Sequence, residues 1–380
     1  MRKCALALSA LLVTGCSIFG GDDEGSKPMK LEDFSSSAKV VRIWRSNAGA
    51  GREGVVKLQP LILGERIYTA DVKGRLMAFN RDSGRRLWQA KTRDPIRGAL
   101  GGLPGRLFYG TGNGEIVAVS DQNGDELWRR QLSGEVVSVP AAGDGRVAVQ
   151  TLDGVLTMLD AQSGEPLWRY ENPPPVLTLR GTASPLITSS AVIAGFASGK
   201  MMAFNPQNGL VLWEHRLALP KGRSEIEQMV DIDAAPLLVD SVIYTASFQG
   251  QAAALNRSNG RPLWKEAAST YGNLAVLNRT LFVTQANGRI RALSTVSGSQ
   301  RWENESLLRR LPTGPEVIGD YIAVGDFDGY LHLLDPESGE FVARQRLDRS
   351  GISGPLIQEQ GILYVLTDSG ALMALRAEPR

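Results

Sequence analysis

Seven pairs of glycines, ten residues apart within each pair and recurring at intervals near forty, constrain this chain more than any other feature. The pairs are Gly74/Gly84, Gly114/Gly124, Gly154/Gly164, Gly199/Gly209, Gly250/Gly260, Gly288/Gly298 and Gly329/Gly339. Four residues after the second glycine stands Trp88, Trp128, Trp168, Trp213, Trp264 or Trp302, and only Ala343 departs from the rule. A fixed period of this size marks a repeat whose units cannot bury their apolar faces alone and must stack on one another.

The second unit is typical. Arg106 to Thr111 is a short apolar run, Asn113-Gly114 reads as a turn, Glu115 to Ser120 alternates polar and apolar residues, and Gln122-Asn123-Gly124 turns the chain into a strand ending at Trp128. Primed hairpin turns need positive φ, which a Cβ resists, so Asn113-Gly114 and its variants Asp153-Gly154, Asn287-Gly288 and Asp328-Gly329 predict tight hairpins. A proline recurs fourteen residues before the first glycine, as Pro60, Pro140, Pro185, Pro236 and Pro315, with Pro355 displaced by one. Proline cannot donate to a ladder, which suits it to the first residue of an edge strand.

Each unit therefore holds about four short antiparallel strands, and no long stretch has helical periodicity. With Gly370 the first glycines number eight, so the expected fold is all-β, an eight-bladed β-propeller of four-stranded antiparallel blades. The last blade lacks room for a fourth strand. Lys39 to Arg45 reads as a strand without a unit, and it carries Trp44, the one tryptophan outside the repeat. Pairing that strand into blade eight closes the ring and removes an open edge. The indoles Trp44, Trp88, Trp128, Trp168, Trp213, Trp264 and Trp302 are expected to be structural docks between blades, burying large apolar area, and Ala343 then marks a weakened one.

The chain has 380 residues, 43% of them hydrophobic, enough for a large core. Residues 1–15 have a basic start at Arg2 and Lys3, an apolar stretch from Ala5 to Val13 and a small-residue exit, the pattern of a secretory signal rather than a span. Leu12-Val13-Thr14-Gly15-Cys16 resembles the bacterial lipobox, which implies lipidation of Cys16 as the first mature residue. Cys4 is lost with the signal, so no intramolecular disulfide is available. The 42 basic side chains exceed the 40 acidic ones only by Arg2 and Lys3, and the balanced mature chain is a poor partner for nucleic acid. Residues 16–38 are polar and read as the lipidated cysteine and a flexible tether, with a coil reach of roughly 26 Å, and 39–380 as the propeller. Ser17 after the cysteine resembles the outer-membrane address of bacterial lipoproteins, so the ring is expected to be lipid-anchored there, facing the periplasm.

Nothing in the sequence builds a catalytic centre. His215 follows a blade's last strand, His332 alternates within one, and neither has metal-ligand spacing. Nucleophile-elbow, zincin and P-loop patterns do not occur. Asp326-Phe327-Asp328-Gly329 lacks the further ligands of a calcium loop and reads as a hairpin turn. No catalytic residue, metal or cofactor is expected.

Binding surfaces in repeat folds lie where the repeat is broken by insertions. From the last-strand tryptophan to the next proline the usual connector is 12 residues, as from Trp128 to Pro140, but it is 17 from Trp168 to Pro185 and 23 from Trp213 to Pro236. Both long connectors join an outer strand to the next inner strand, so they emerge on one rim and flank blade four. The first carries three prolines, Leu177, Leu179 and Arg180; the second carries Lys221, Arg223, Glu225, Glu227, Asp231 and Asp233. Exposed, the leucines and arginine form a protein-binding hot spot; packed on blade four, they are structural. The pattern leaves both open.

Across nearly its whole length the chain resembles BamB, the family of propeller lipoproteins of the outer-membrane β-barrel assembly machinery. The resemblance rests on the lipobox at Cys16, the eight quinoprotein-like blades, Leu177-Thr178-Leu179-Arg180-Gly181, Asp231-Ile232-Asp233, and Gly325 through His332. It implies that Leu177, Leu179, Arg180, Asp231 and Asp233 contact the periplasmic domains of the central barrel-forming subunit (BamA-like), and that the ring is a scaffold without catalysis. Exposed strand edges offer a further route, by which unfolded outer-membrane proteins add as strands. The rival readings are a pyrroloquinoline quinone dehydrogenase, whose propeller uses the same docks but adds a vicinal cysteine pair, calcium ligands and length, and a generic periplasmic adaptor or lectin.

Overall fold

A computed structural model describes residues 27–51, 58–179, 183–220 and 223–380. All regular structure in them is β: eight four-stranded antiparallel sheets follow one another along the chain. Strands a to d of each blade run from the axis outward, and strands a of successive blades approach one another around it. Blade one is Leu61–Leu63, Arg66–Ala70, Arg75–Asn80 and Arg86–Lys91. Blade four is Leu186–Ile187, Val192–Gly195, Lys200–Phe204 and Val211–Arg216. Strands b and c are buried almost throughout, which their short β-branched and apolar runs require, whereas strand d is mostly exposed or half-buried. The core is divided into clusters that lie between neighbouring blades, such as the one joining Tyr68, Leu76 and Ala78 of blade one to Leu107, Tyr109 and Val117 of blade two.

The ring closes as the stray tryptophan predicted. Strand Ala38–Asn47 pairs antiparallel with Ala371–Pro379, from Ala38 opposite Pro379 to Asn47 opposite Ala371, and serves as strand d of blade eight.

The indoles dock across blade boundaries. Trp44 Nε1 donates to the carbonyl of Arg81 at 2.9 Å, Trp88 to Asp121 at 3.1 Å, Trp128 to Ala161 at 3.1 Å, Trp168 to Pro206 at 2.9 Å, Trp213 to Arg257 at 2.9 Å, Trp264 to Thr295 at 2.8 Å and Trp302 to Pro336 at 2.8 Å. Each acceptor lies in the c–d turn of the next blade. The second glycine of that turn lies under the indole: a Cβ built on Gly164 would fall 2.6 Å from Trp128 Cε3. Ala343 is therefore not a weakened dock. Blade eight has no c–d turn, because its strand d comes from the other end of the chain, so no turn carbonyl awaits an indole; Ala343 instead packs with Ala38 and Leu375.

Four further expectations are corrected in detail. Strand d does not end at its tryptophan, since Glu126–Gln131 carries Trp128 in its middle and Val211–Arg216 contains His215. The five regular prolines stand one residue ahead of strand a rather than in it. The b–c turns are not primed: Gly114 N–H donates to Thr111 O at 3.2 Å, and within that turn only Gly114, at φ 79°, is left-handed. That is a type I turn closed by a left-handed glycine; primed pairs occur at a–b turns instead, as in Asp144 and Gly145, with φ 50° and 72°. Lastly, residues 27–37 do not hang free as the end of a tether but lie along blade seven: Met29 N–H donates to Leu308 O at 3.0 Å, and Leu31 packs into the core between blades six and seven. Cys16 and the rest of the tether fall outside the described residues.

Candidate protein-binding face

Alternation of strand direction puts the b–c turns and the d-to-a connectors on one face of the ring, and the a–b and c–d turns on the other. Residues 172–185 and 217–236 are two such connectors, on either side of blade four. Each is stitched down before it departs from the ring. Asn172 N–H donates to Gly154 O at 2.9 Å and its side-chain amide to Ser198 Oγ at 2.8 Å, and Leu217 N–H donates to Gly199 O at 2.8 Å.

The stretch Asp231-Ile232-Asp233 runs between the b–c turns of blades four and five. Ile232 N–H donates to Phe196 O at 3.4 Å, and Phe248 N–H to the backbone carbonyl of Asp231 at 2.8 Å. Ile232 is buried against Gly195, where a Cβ would fall 2.5 Å from its Cγ2. Asp231 is also fully buried, and its Oδ2 accepts the backbone N–H of Leu179. The two long connectors, distinct in sequence, are thus joined by one charge-assisted hydrogen bond. Burial pushes the Asp231 carboxyl up to about 6, against the pull of the Leu179 N–H.

The residues singled out by sequence divide by role. Leu177 is 37% exposed; Leu179 and Asp233 are half-buried; Asp231 is inaccessible. Arg180 lies outside the described residues, as does Lys221. The open alternative resolves unequally: Leu177 faces solvent, while Leu179 holds its loop through the backbone. Sequence reasoning passed over the most exposed apolar residues of the two connectors, Val176 at 91%, Leu219 at 59% and Ile226 at 62%. Their signal was a branched apolar side chain inside a connector otherwise polar or proline-rich. Ile226 sits in a turn held by Glu227, whose Oε2 accepts the N–H groups of Arg223 and Ser224 at 2.8 and 3.1 Å.

His332 and Asp326 form a separate buried group in blade seven. His332 Nδ1 accepts from Arg344 Nε at 3.2 Å, so its proton is on Nε2, which donates to Asp326 Oδ2 at 3.1 Å. Asp326 Oδ1 accepts the N–H groups of Asp328 and Tyr330, which makes this run the expected hairpin turn. Among the described residues, no three His, Cys, Asp or Glu side chains are grouped to hold a metal. The arrangement as a whole presents exposed apolar and charged side chains of two connectors on one face of the ring.

Comparison with known proteins gives the family. A family model described as outer membrane protein assembly factor BamB matches residues 41–104, 72–304 and 286–379. The protein of that name from Pseudomonas aeruginosa is 47% identical, over 98% of this chain and 98% of its own length, and that from Kangiella koreensis is 46% identical, over 95% and 93%. The crystal structure of BamB from Moraxella catarrhalis superposes with a TM-score of 0.82 at 27% identity, covering 89% of this chain and all of that one. Quinohemoprotein alcohol dehydrogenase from Comamonas testosteroni, at 13% identity and a TM-score of 0.69, shares the fold.

Proposed function

This chain belongs to the family of the outer membrane protein assembly factor BamB, and from that premise we propose that it is a non-catalytic scaffold of the outer-membrane protein assembly complex. It is held to the membrane through a lipidated Cys16, faces the periplasm, and grips the periplasmic domains of the central barrel-forming subunit with the rim around blade four. One observation carries this reading. The two connectors that exceed the repeat are joined to each other by Asp231 and Leu179 and present exposed apolar side chains on the same face.

The roles differ among the residues involved. Leu177, with Arg180 three residues on, is the contact; Leu179 and Asp231 are positioning residues that hold the contact loop at a fixed height. Exposed leucines on the outer strands, Leu87, Leu127, Leu167, Leu212 and Leu263, support a second role, in which an unfolded client lies along the outer edges.

Co-purification from membranes tests the scaffold. The parent lipoprotein recovers one large outer-membrane partner; Leu177→Glu with Arg180→Glu loses it while still floating with the membrane. Unchanged recovery would remove the site. Photo-crosslinkers at Leu127 and Leu263 test the client role, which fails if unfolded porins are never captured.

A further inference from the structure

Strand Ala38–Asn47 begins on the wrong side of the ring for a membrane tether that serves the connector face. Its first residue, Ala38, pairs with Pro379, where strand c of blade eight has crossed from the connector face, at Ala371, to the opposite one. A chain entering directly at Ala38 would come from that opposite face, where the c–d turns lie. Residues 27–37 reverse the approach. They descend the outer edge of blade seven against strand Phe341–Arg346. Near the c–d face Ser37 N–H donates to Val342 O at 3.1 Å, and Phe34 stacks on Phe341 with centroids 5.8 Å apart. Midway Arg344 donates to Glu32 O at 2.8 Å and lies 4.9 Å over the Phe34 ring. At the connector face Arg310 donates to Met29 O at 3.1 Å, Met29 N–H to Leu308 O, and Arg309 to Lys27 O.

We propose that residues 27–37 are a strut that carries the lipid tether across the edge of blade seven, so that it leaves the ring at the 305–315 connector. The face bearing residues 172–185 and 217–236 is then turned toward the bilayer. Three arginines of the ring, Arg309, Arg310 and Arg344, hold the strut by its carbonyls, a mode of binding that fixes the path of the chain whatever its side chains. Arg310 is itself fixed, buried and donating to Asp326 Oδ2 at 2.8 Å and Asp328 Oδ2 at 2.7 Å. Only residues 17–26 then separate the lipid from the ring. Any ten-residue chain reaches at most about 35 Å even when fully extended, a limit that keeps the connector face close to the headgroups. The inference rests on the reading of Cys16 as the anchor.

The test uses the full-length lipoprotein in vesicles of phosphatidylethanolamine and phosphatidylglycerol. Cys16 is consumed by lipid, so Ser306→Cys in the connector and Glu337→Cys in the c–d turn of blade seven each give a single site for a donor dye, and a headgroup-labelled lipid is the acceptor. Transfer at least twofold greater from position 306 than from 337 is expected. Met29→Pro, which removes the N–H given to Leu308, and Phe34→Ala should bring that ratio toward one without moving the thermal midpoint of the ring by more than a few degrees. A ratio near one or reversed in the parent, or a ratio unmoved by both variants, overturns the strut. Hydrogen exchange at residues 29–37 gives an independent measure, and exchange as fast as in a free peptide also overturns it. Flotation separates the two readings: a parent that floats no better than Cys16→Ser has no lipid anchor, and the orientation falls with it, whereas a floating parent with equal transfer indicts the strut alone.

Discussion

Trp302 of blade six donates its indole N–H to the carbonyl of Pro336 in blade seven, and its ring lies so close over Gly339 that a Cβ there would fall 2.5 Å from Cε3. The glycine and the tryptophan of one repeat therefore belong to two different docks. The turn glycine receives an indole from the blade before, and the tryptophan four residues later reaches into the blade after. What repeats along the sequence is half of each of two joints.

Removing one half of a joint should be costly and removing both should not cost twice. Trp128→Ala is expected to lower unfolding free energy by about 2–3 kcal/mol, below the full cost of a core tryptophan because the indole is only partly buried. Gly164→Ala adds a methyl into the Trp128 ring at a left-handed φ of 72° and should cost about 2 kcal/mol or more. In the double variant the clash disappears, so the combined loss falls short of the sum, as a denaturant double-mutant cycle would read.

Ala343→Trp restores the repeat rule and should nevertheless destabilise. The site is buried beside Ala38 and has no turn carbonyl to satisfy an indole N–H, so overpacking by about 1–3 kcal/mol is expected. A higher melting temperature would contradict the account of blade eight.

Arg310→Ala leaves the Asp326 carboxylate, fully buried, without its cationic partner. A loss of about 3–5 kcal/mol is expected, measured by denaturant unfolding, together with release of residues 27–29.

Asp231 makes stability depend on pH in a direction opposite to most carboxylates. Its folded pKa of about 6 lies above the ordinary carboxyl value of 3.8, so between those values the folded state keeps a proton the unfolded state has released. Stability from this group is therefore present at pH 4 and is lost as pH rises through 6, by about 2–3 kcal/mol in all. Asp231→Asn abolishes that slope. Glu316, raised to about 7 by burial, acts in the same sense, so the comparison is parent against Asp231→Asn over pH 4–7. Parallel curves would exclude the burial described for Asp231.

The blades, their number and their closure were legible because each rests on a local rule: a glycine where φ must be positive, a proline ahead of a strand, a tryptophan with no unit. The two long connectors were legible as departures from that rule. The direction of the docks was not, since the indole's partner is a backbone carbonyl about thirty-five residues on, at Ala161 for Trp128, and a carbonyl leaves no mark in sequence. The strut was missed for the same reason. Its residues look like linker, and Arg344, which holds Glu32, stands 312 positions away. Leu179 was read as a contact by its side chain, whereas its tie to Asp231 is through the backbone N–H.

Among the described residues, the pairing of Ala38–Asn47 with Ala371–Pro379 joins the first strand to the last. During synthesis the former emerges early and must wait, unpaired, until almost every other residue has been made. Loop-closure cost makes such a contact late in folding as well. Any break that removes the last nine strand residues would leave that first strand without its partner and the ring unsealed, an open ribbon of blades.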